Sequence, residues 1–382
     1  MIKLLTKLNR SLERHSGKLF GIGLGLVLFR NWRQWQADKV LVGQLQQEQQ
    51  ALPELSHTPK ISVLVAAWNE QPHLKTHLES FLNLTYPQIE LVLCAGGTDG
   101  TLELAHRYAG ARVKVLEQLP GEGKQRALAK AYTLAAGEII YLTDADSVYE
   151  QAALTHLLAP IINGGEQVTT GSMRPLVGQQ YHFLPAYLWA VDTAANLYSP
   201  EYVKGLLGAN TAVTRQALES SGGLDFAAPT GTDYQLGKRL GRSGYKIRLA
   251  KSSVIATSYP QNLGTYRRRQ SRWLRNLLVY GKQYGAEKDL RQSYQTITIG
   301  VIMTLLPLTS PISGKKGLSG WGILLAQAVS SKVRYNLITA RLSGRAVPLK
   351  LWLGLLPMSL IDFVIWGLPA LDLLVGRKKI AW

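Results

Sequence analysis

The chain has 382 residues, 46% of them hydrophobic, and a net charge of +18. That length supports more than one domain, and that charge suits nucleic acid, anionic lipid or anionic small molecules. The single cysteine, Cys94, excludes an internal disulfide framework and a thiolate-rich metal site.

Residues 19–29 (LFGIGLGLVLF) form an apolar run shorter than the ~20 residues of a full membrane span. Lys3, Lys7, Arg10, Arg14 and Lys18 precede it, and Arg30 and Arg33 follow. No small-residue cleavage site comes after it, so it reads as an uncleaved anchor rather than a signal peptide. Residues 32–58 are polar and Gln-rich, a helix or a linker. An alternating pattern then begins. ISVLVAA (61–67), IELVLCA (89–95), ARVKVL (111–116) and EIIYLT (138–143) read as strands, separated by helices over 71–84, 99–110 and 123–137. Asp99 is placed to cap the second of these helices and Gly110 to close it. This βαβαβαβ order predicts an α/β fold with a mostly parallel sheet and helices on both faces.

Ligands of such sheets sit at the carboxyl ends of the strands. Asn69 and Glu70 follow the first strand there, Asp99 lies in the Gly-rich turn after the second, and Asp144 and Asp146 follow the fourth. There is no GxGxxG and no GxxxxGK[ST], which argues against dinucleotide and P-loop readings. Two carboxylates one residue apart at the tip of an apolar strand are costly unless their charge is offset. Oxygen ligands of this type suit a hard divalent cation, Mg2+ or Mn2+, whose shell is completed by water and substrate phosphates. The alternative is a capping Asp and a solvated Asp ahead of a helix over 150–162.

Downstream, Asp233 precedes a short amphipathic helix, either as a cap or as a general base. Residues 181–198 (YHFLPAYLWAVDTAANLY) either line an acceptor path or form a packed amphipathic helix. Between residues 238 and 291 there are fourteen Lys/Arg and two acids. There, Tyr266, Trp273, Leu277 and Tyr280 interleave with arginines, a pattern that lies well on an anionic membrane surface. A nucleic-acid partner explains that charge equally well but not the apolar stretches that follow, so none is expected. Those stretches are 296–312, 318–331 and 351–375. The basic loop from Lys332 to Lys350 and the tail Arg377, Lys378 and Lys379 place both on the cytoplasmic side. With a cytoplasmic catalytic part, the crossings after it are even in number. One stretch is therefore re-entrant, or the last, interrupted by Pro357 and Asp362, is a hairpin.

In order, ISVLVAAWNE, YPQIELVLCAGGTDGT, GKQRALAKA, DADS, GANTAVTR, GTDYQL and RQSRW resemble the motifs of membrane-bound family 2 glycosyltransferases, from about Ile61 to Arg275. The resemblance implies a GT-A nucleotide-sugar-binding fold, a nucleotide-sugar donor, a divalent metal, inversion at the anomeric carbon and a cytoplasmic active site acting on a membrane-embedded acceptor. Together with the hydropathy and charge pattern it gives the expected organisation: an N-terminal anchor and linker over 1–58, the catalytic domain over 59–260, a basic interfacial helix over 261–291 and a multi-pass membrane region over 292–382. It further implies that Asn69, Glu70 and Asp99 line the nucleoside end, and that Lys124 and Asp144 approach the ribose and diphosphate. Asp146, with Asp144, holds the metal, and Asp233 is the base. Gln270, Arg272 and Trp273 cover the diphosphate and the acceptor entrance. The chain departs from the family pattern at Cys94-Ala95-Gly96-Gly97, where Asp-Asp-Gly-Ser is usual. It departs again at Thr232 in place of Glu and at Arg269 in place of the first Gln of Gln-x-x-Arg-Trp. A UDP-sugar is the expected donor, with the base left open by the missing carboxylates. The expected acceptor is a lipid or glycan. A polymer synthase and a non-catalytic scaffold are the competing readings.

Overall fold

The computed structural model describes residues 16–374, with side chains over 17–309 and 317–370. The basic residues Lys3, Lys7, Arg10 and Arg14 and the tail Arg377, Lys378 and Lys379 lie outside the described residues. The chain forms two compact units, Gln44–Pro260 and a second one made of residues up to Gly43 with those from Gln261 onward. One 35-residue helix, α1 (Ser16–Gln50), takes up both the apolar run at 19–29 and most of the Gln-rich segment.

The first unit is built on one eight-stranded sheet. Its leading half is the predicted alternation: β1 (Ile61–Trp68), α2 (Gln71–Leu82), β2 (Ile89–Gly96), α3 (Thr101–Arg107), β3 (Val113–Glu117), α4 (Gly123–Tyr132) and β4 (Ile139–Leu142). β1 lies between β2 and β4, all parallel, and β3 joins the outer side of β2. β2 and β4 are buried along their whole length and β1 along nearly all of it, as expected of parallel strands covered on both faces.

α4 stops at Tyr132, five residues before the predicted end, because the next residues are needed elsewhere. The Ala136 amide donates to Glu90 Oε1 (2.7 Å) and the Gly137 amide to Ser62 Oγ (2.7 Å). A Cβ on Gly137 would fall 2.3 Å from the Ser62 nitrogen, so this close approach requires glycine. Ser62 in turn donates to Glu90 (2.6 Å), and Lys114 closes on the same carboxylate at 2.9 Å.

The second half of the sheet was not legible as strands. It contains α5 (Gln151–Ile162), β5 (Val168–Pro175), α6 (Phe183–Tyr198), β6 (Tyr202–Val203), β7 (Thr211–Thr214), α7 (Arg215–Ser220), α8 (Thr232–Arg242) and β8 (Ile247–Thr257). The strand order is β3-β2-β1-β4-β7-β5-β8-β6, with β7 antiparallel to β4 and β5, and β5 parallel to β8. These strands carry many hydroxyls, which hides the apolar period. Those hydroxyls are paired internally: Thr169 donates to the Leu157 carbonyl (2.9 Å) and Ser253 to that of Ala153 (2.7 Å). The buried Asn210 amide donates to the Ser172 carbonyl (3.1 Å) and to Ser253. α6 buries Leu184, Tyr187, Leu188, Ala190, Ala194 and Leu197, the spacing of a packed helix.

The second unit is helical: the first part of α1, then α9 (Leu263–Gln283), α10 (Glu287–Leu305), α11 (Ser310–Ser343) and α12 (Leu349–Leu374). The hairpin reading of the last apolar stretch is corrected, since α12 runs unbroken through Pro357 and Pro369. Each proline removes one helical hydrogen bond, and packing holds the rest. A Cβ on Gly300 of α10 would lie 2.5 Å from the Gly367 nitrogen, so the two backbones nearly touch. The stretch 296–312 divides between α10, a tight turn at Leu306–Thr309 and α11, and 318–331 lies inside the much longer α11. Among the described residues, Leu349–Ala370 is the one helix long and apolar enough to cross a membrane. Its outer face shows Leu349, Leu353, Leu356, Leu360 and Val364, spaced as one helical stripe. Left half-exposed to water, that stripe forgoes on the order of 5 kcal/mol of burial energy. Buried charges pin the bundle. Lys332 of α11 is paired with Asp362 of α12, which also accepts from the Tyr266 hydroxyl of α9 (2.8 Å). Arg334 bonds Asp38 of α1 at 2.8 Å.

Candidate active site

The carboxyl ends of β1, β2 and β4 meet at one edge of the first unit. At the end of β1 the chain turns through Asn69, whose φ of 57° is left-handed. Asparagine tolerates this region better than most residues, and two bonds hold it there. Its amide donates to the Gly96 carbonyl (3.1 Å), and its side-chain oxygen accepts from the Thr98 amide (2.8 Å). That oxygen occupies the place of a side chain at position 97: a Cβ on Gly97, itself at φ 119°, would fall 2.2 Å from it. In this chain any side chain at position 97 would meet Asn69.

Asp99 proves to be a brace between loops. Oδ1 accepts from the Thr101 amide (3.0 Å) and hydroxyl (2.5 Å), and Oδ2 accepts from the Gln71 amide (3.1 Å). Thr101 Oγ1 accepts from the Glu70 amide (2.8 Å). Burial opposes its charge, but these hydrogen bonds hold Asp99 below the usual carboxylate range. The cap of α3 is Gly100, at φ 91°, rather than Asp99. Thr101 is a site-building residue the sequence did not mark, its signal being the Asp-x-Thr spacing of a side-chain turn.

Asp144 and Asp146 leave β4 in a tight turn closed by the Ser147 amide, which donates to the Asp144 carbonyl (3.1 Å). Asp144 is ion-paired with Lys124 at the start of α4. Asp146 Oδ1 accepts from the Thr257 hydroxyl at the end of β8 (3.0 Å). Burial is the main cause that pushes the Asp146 carboxyl up to about 6, with the Asp144 charge next. Burial also leads in pushing Glu70 up to about 7, helped by Asp146, Asp144 and Asp99 and opposed by Lys124. Burial works against the Lys124 charge too, but Asp144 outweighs it, with Asp233 and Asp146 adding to the effect, and Lys124 is raised. Glu70, Asp144 and Asp146 thus feel one another's charge and that of Lys124, and Lys124 also feels Asp233.

Asp233 lies inside the first turn of α8, and the cap position is taken by Gly231 at φ 66°. Its Oδ1 accepts from the Tyr234 amide (2.8 Å), and its Cβ is 3.2 Å from where a side chain on Gly208 would begin. Gly208 therefore keeps the space in front of Asp233 open. Gln270, Arg272 and Trp273 lie on α9 in the other unit, with Trp273 about half exposed.

The carboxylate excess around one lysine is what a cation would relieve. The two strand-end carboxylates are hard oxygen donors of the type Mg2+ and Mn2+ take. Among the described residues no three His, Cys, Asp or Glu side chains converge as a cage. The donor set therefore fits a cation held by one or two protein carboxylates and completed by substrate oxygens.

The chain is 24% identical over 256 residues to YdaM of Bacillus subtilis, a protein named as a glycosyltransferase, covering 63% of this chain and 59% of that one. It is 34% identical over 96 residues to EpsH of the same organism, which is named likewise, covering 24% of this chain and 28% of EpsH. The chain thus spans less than two thirds of these relatives. Among solved structures it resembles the mannosyltransferase PcManGT of Pyrobaculum calidifontis, in complex with GDP-Man and Mn2+. That match has a TM-score of 0.51 at 18% identity and covers 96% of this chain and 100% of the other, which shows a shared fold. The family model described as glycosyltransferase like family 2 matches residues 59–276. More than half of the sequence lies in that match, and the chain belongs to this family of glycosyltransferases.

Proposed function

We propose that the protein is an inverting transferase that moves a sugar from a nucleotide-sugar donor to a membrane-associated lipid acceptor with the help of Mg2+ or Mn2+. The observation that carries this reading is the cluster of Glu70, Asp144 and Asp146 at the strand ends with Lys124 of α4, two of whose carboxyls burial and mutual repulsion have raised, with Asp233 of α8 within reach of the Lys124 charge. The divalent cation that accompanies a donor diphosphate supplies the positive charge between the carboxylates and the phosphates and uses the oxygen ligands. Asp146 and Asp144 would hold the cation, which as a Lewis acid stabilises charge on the leaving diphosphate. Lys124 contributes a fixed positive charge beside Asp144. Asn69 and Glu70 flank the nucleoside end, with Asp99 bracing their loop. Asp233 takes the proton of the acceptor hydroxyl, whose oxygen attacks the anomeric carbon from the face opposite the diphosphate and inverts it.

The neighbour with GDP-Man and the absence of a carboxylate at Cys94-Ala95 support a donor base other than uracil as readily as a UDP-sugar. The apolar stripe of α12 supports anchoring in a membrane, and the basic residues flanking the apolar stretches support a catalytic unit on the cytoplasmic side. The experiment is donor turnover by the purified full chain in nanodiscs, with UDP- and GDP-sugars, Mg2+ or Mn2+, and mass spectrometry of lipid products. Asp233→Asn is expected to abolish transfer while donor binding persists; full activity in that variant sinks the base assignment. Activity that survives EDTA sinks the metal, and a ladder of long products would replace the lipid reading with polymer synthesis.

A further inference from the structure

His77 lies on the buried face of α2 with Leu74, Leu78 and Phe81 and has no exposure to solvent. A histidine in that stripe is out of keeping with its neighbours unless its ring nitrogens are used. Both are. Nδ1 lies 2.8 Å from the Ser147 carbonyl oxygen, and Nε2 lies 3.2 Å from the Tyr149 hydroxyl. A carbonyl only accepts, so Nδ1 carries the proton, and Nε2 accepts from Tyr149. Burial is the leading cause that lowers the ring to about 4, which keeps it neutral in this single tautomer near pH 7.

Ser147 is the residue that closes the Asp144–Asp146 turn. Its amide bonds the Asp144 carbonyl, its carbonyl bonds His77, and the next amide, that of Val148, donates to the Ala256 carbonyl (2.8 Å). The Tyr149 amide donates to Ser80 Oγ (3.0 Å), so one face of α2 grips residues 147 and 149 together. The Tyr149 ring also packs on His77 (4.8 Å between centroids), Phe81 (5.7 Å) and Tyr141 (6.1 Å), which limits its freedom to shift. With Thr257 holding the Asp146 carboxylate from the opposite side, the turn is clamped from α2 and from β8.

We infer that His77 is a positioning residue: through Ser147 it sets the orientation of the Asp144-Ala145-Asp146 turn, and so the affinity of the site for the divalent cation. This rests on the metal role of Asp146 proposed above. Partners that orient metal ligands typically change affinity by about 10–100-fold when lost. His77 acts one step further from the carboxylate, so the lower end of that range applies.

The test is a Mn2+ titration of the full chain in detergent with UDP or GDP present, read by electron paramagnetic resonance, alongside the Mn2+ dependence of turnover and the melting temperature. His77→Asn keeps a donor near the position of Nδ1, and His77→Gln moves the amide toward Nε2. Asn is expected to bind Mn2+ within about threefold of wild type, and Gln about tenfold more weakly, with similar melting temperatures. Tyr149→Phe, which removes the hydroxyl while keeping the ring, is expected to weaken binding by about two- to threefold. If Gln and Asn bind Mn2+ equally well, or their difference follows melting temperature alone, His77 is only a packed core residue and the inference fails. If the wild-type chain binds no Mn2+, the metal reading itself fails, and this one with it.

Discussion

The two ends of the parallel sheet face the same problem with opposite outcomes. At the amino ends of β1, β2 and β4, the buried Glu90 receives Ser62, the Ala136 amide and Lys114. Burial opposes its charge, but the bonds prevail and its carboxyl is held below the usual range. Nearby, Arg215 donates to the carbonyls of Gly137 and Ala135 and to the Tyr132 hydroxyl. At the carboxyl ends of the same strands, Glu70 and Asp146 are raised and share one lysine with Asp144. One end is neutralised by the protein; the other is left for a ligand to neutralise. The lesson is that charge alone does not mark a site. What marks it is charge that the fold declines to compensate.

The largest effect should come from Asp146→Ala. Transfer is expected to fall at least about a thousandfold, yet the metal-free protein should melt no lower than wild type, because a source of repulsion is gone. Glu90→Ala should show the reverse, losing about 3 kcal/mol of stability in chemical denaturation with donor affinity unchanged in the folded fraction. Equal stability losses in the two variants would erase the contrast between the ends.

Next in size is Gly97→Ala. It places a methyl on the Asn69 side-chain oxygen and strains a left-handed backbone, a cost of about 1–3 kcal/mol. Asn69→Gly in the same chain should recover the part due to the Asn69 side chain, while the approach to the Asn69 nitrogen and the backbone strain remain. Failure of that rescue, measured by melting temperature, would show that the two positions are not matched.

The smallest effect is the pH dependence. Glu70 and Asp146 have folded pKa values above their ordinary ones, so the folded state holds more protons and this end loses stability as pH rises from about 4 to about 7. Glu90, held low, contributes stability above its ordinary range and loses it as pH falls. The rise in melting temperature produced by Mn2+ should therefore grow between pH 5 and pH 7.5, since the carboxylates must lose their protons to bind it. A Mn2+ effect that is flat across this window breaks the assignment of Asp146 to the cation site.

Much of this was legible in the sequence. The alternation of ISVLVAA, IELVLCA and EIIYLT with helical segments determined the parallel half of the sheet, because strands buried on both faces must be apolar throughout. It also determined which residues stand at the strand ends, since a chain that alternates strand and helix brings every βα turn to one edge. Only the tertiary structure decided the rest. β5, β7 and β8 are hidden in the sequence because their hydroxyls are paired inside the fold, a matter of partners far away in the chain. α12 is a single helix despite Pro357 and Pro369, because α10 packs against its backbone at Gly300 and Gly367. Asp99, one more acid beside a glycine in the sequence, became a brace when Thr101 and the Gln71 amide claimed its oxygens. Composition and period set where a carboxylate falls along the chain. Whether it is compensated depends on which donors the fold brings to it, and that separates Glu90 from Glu70 and Asp146.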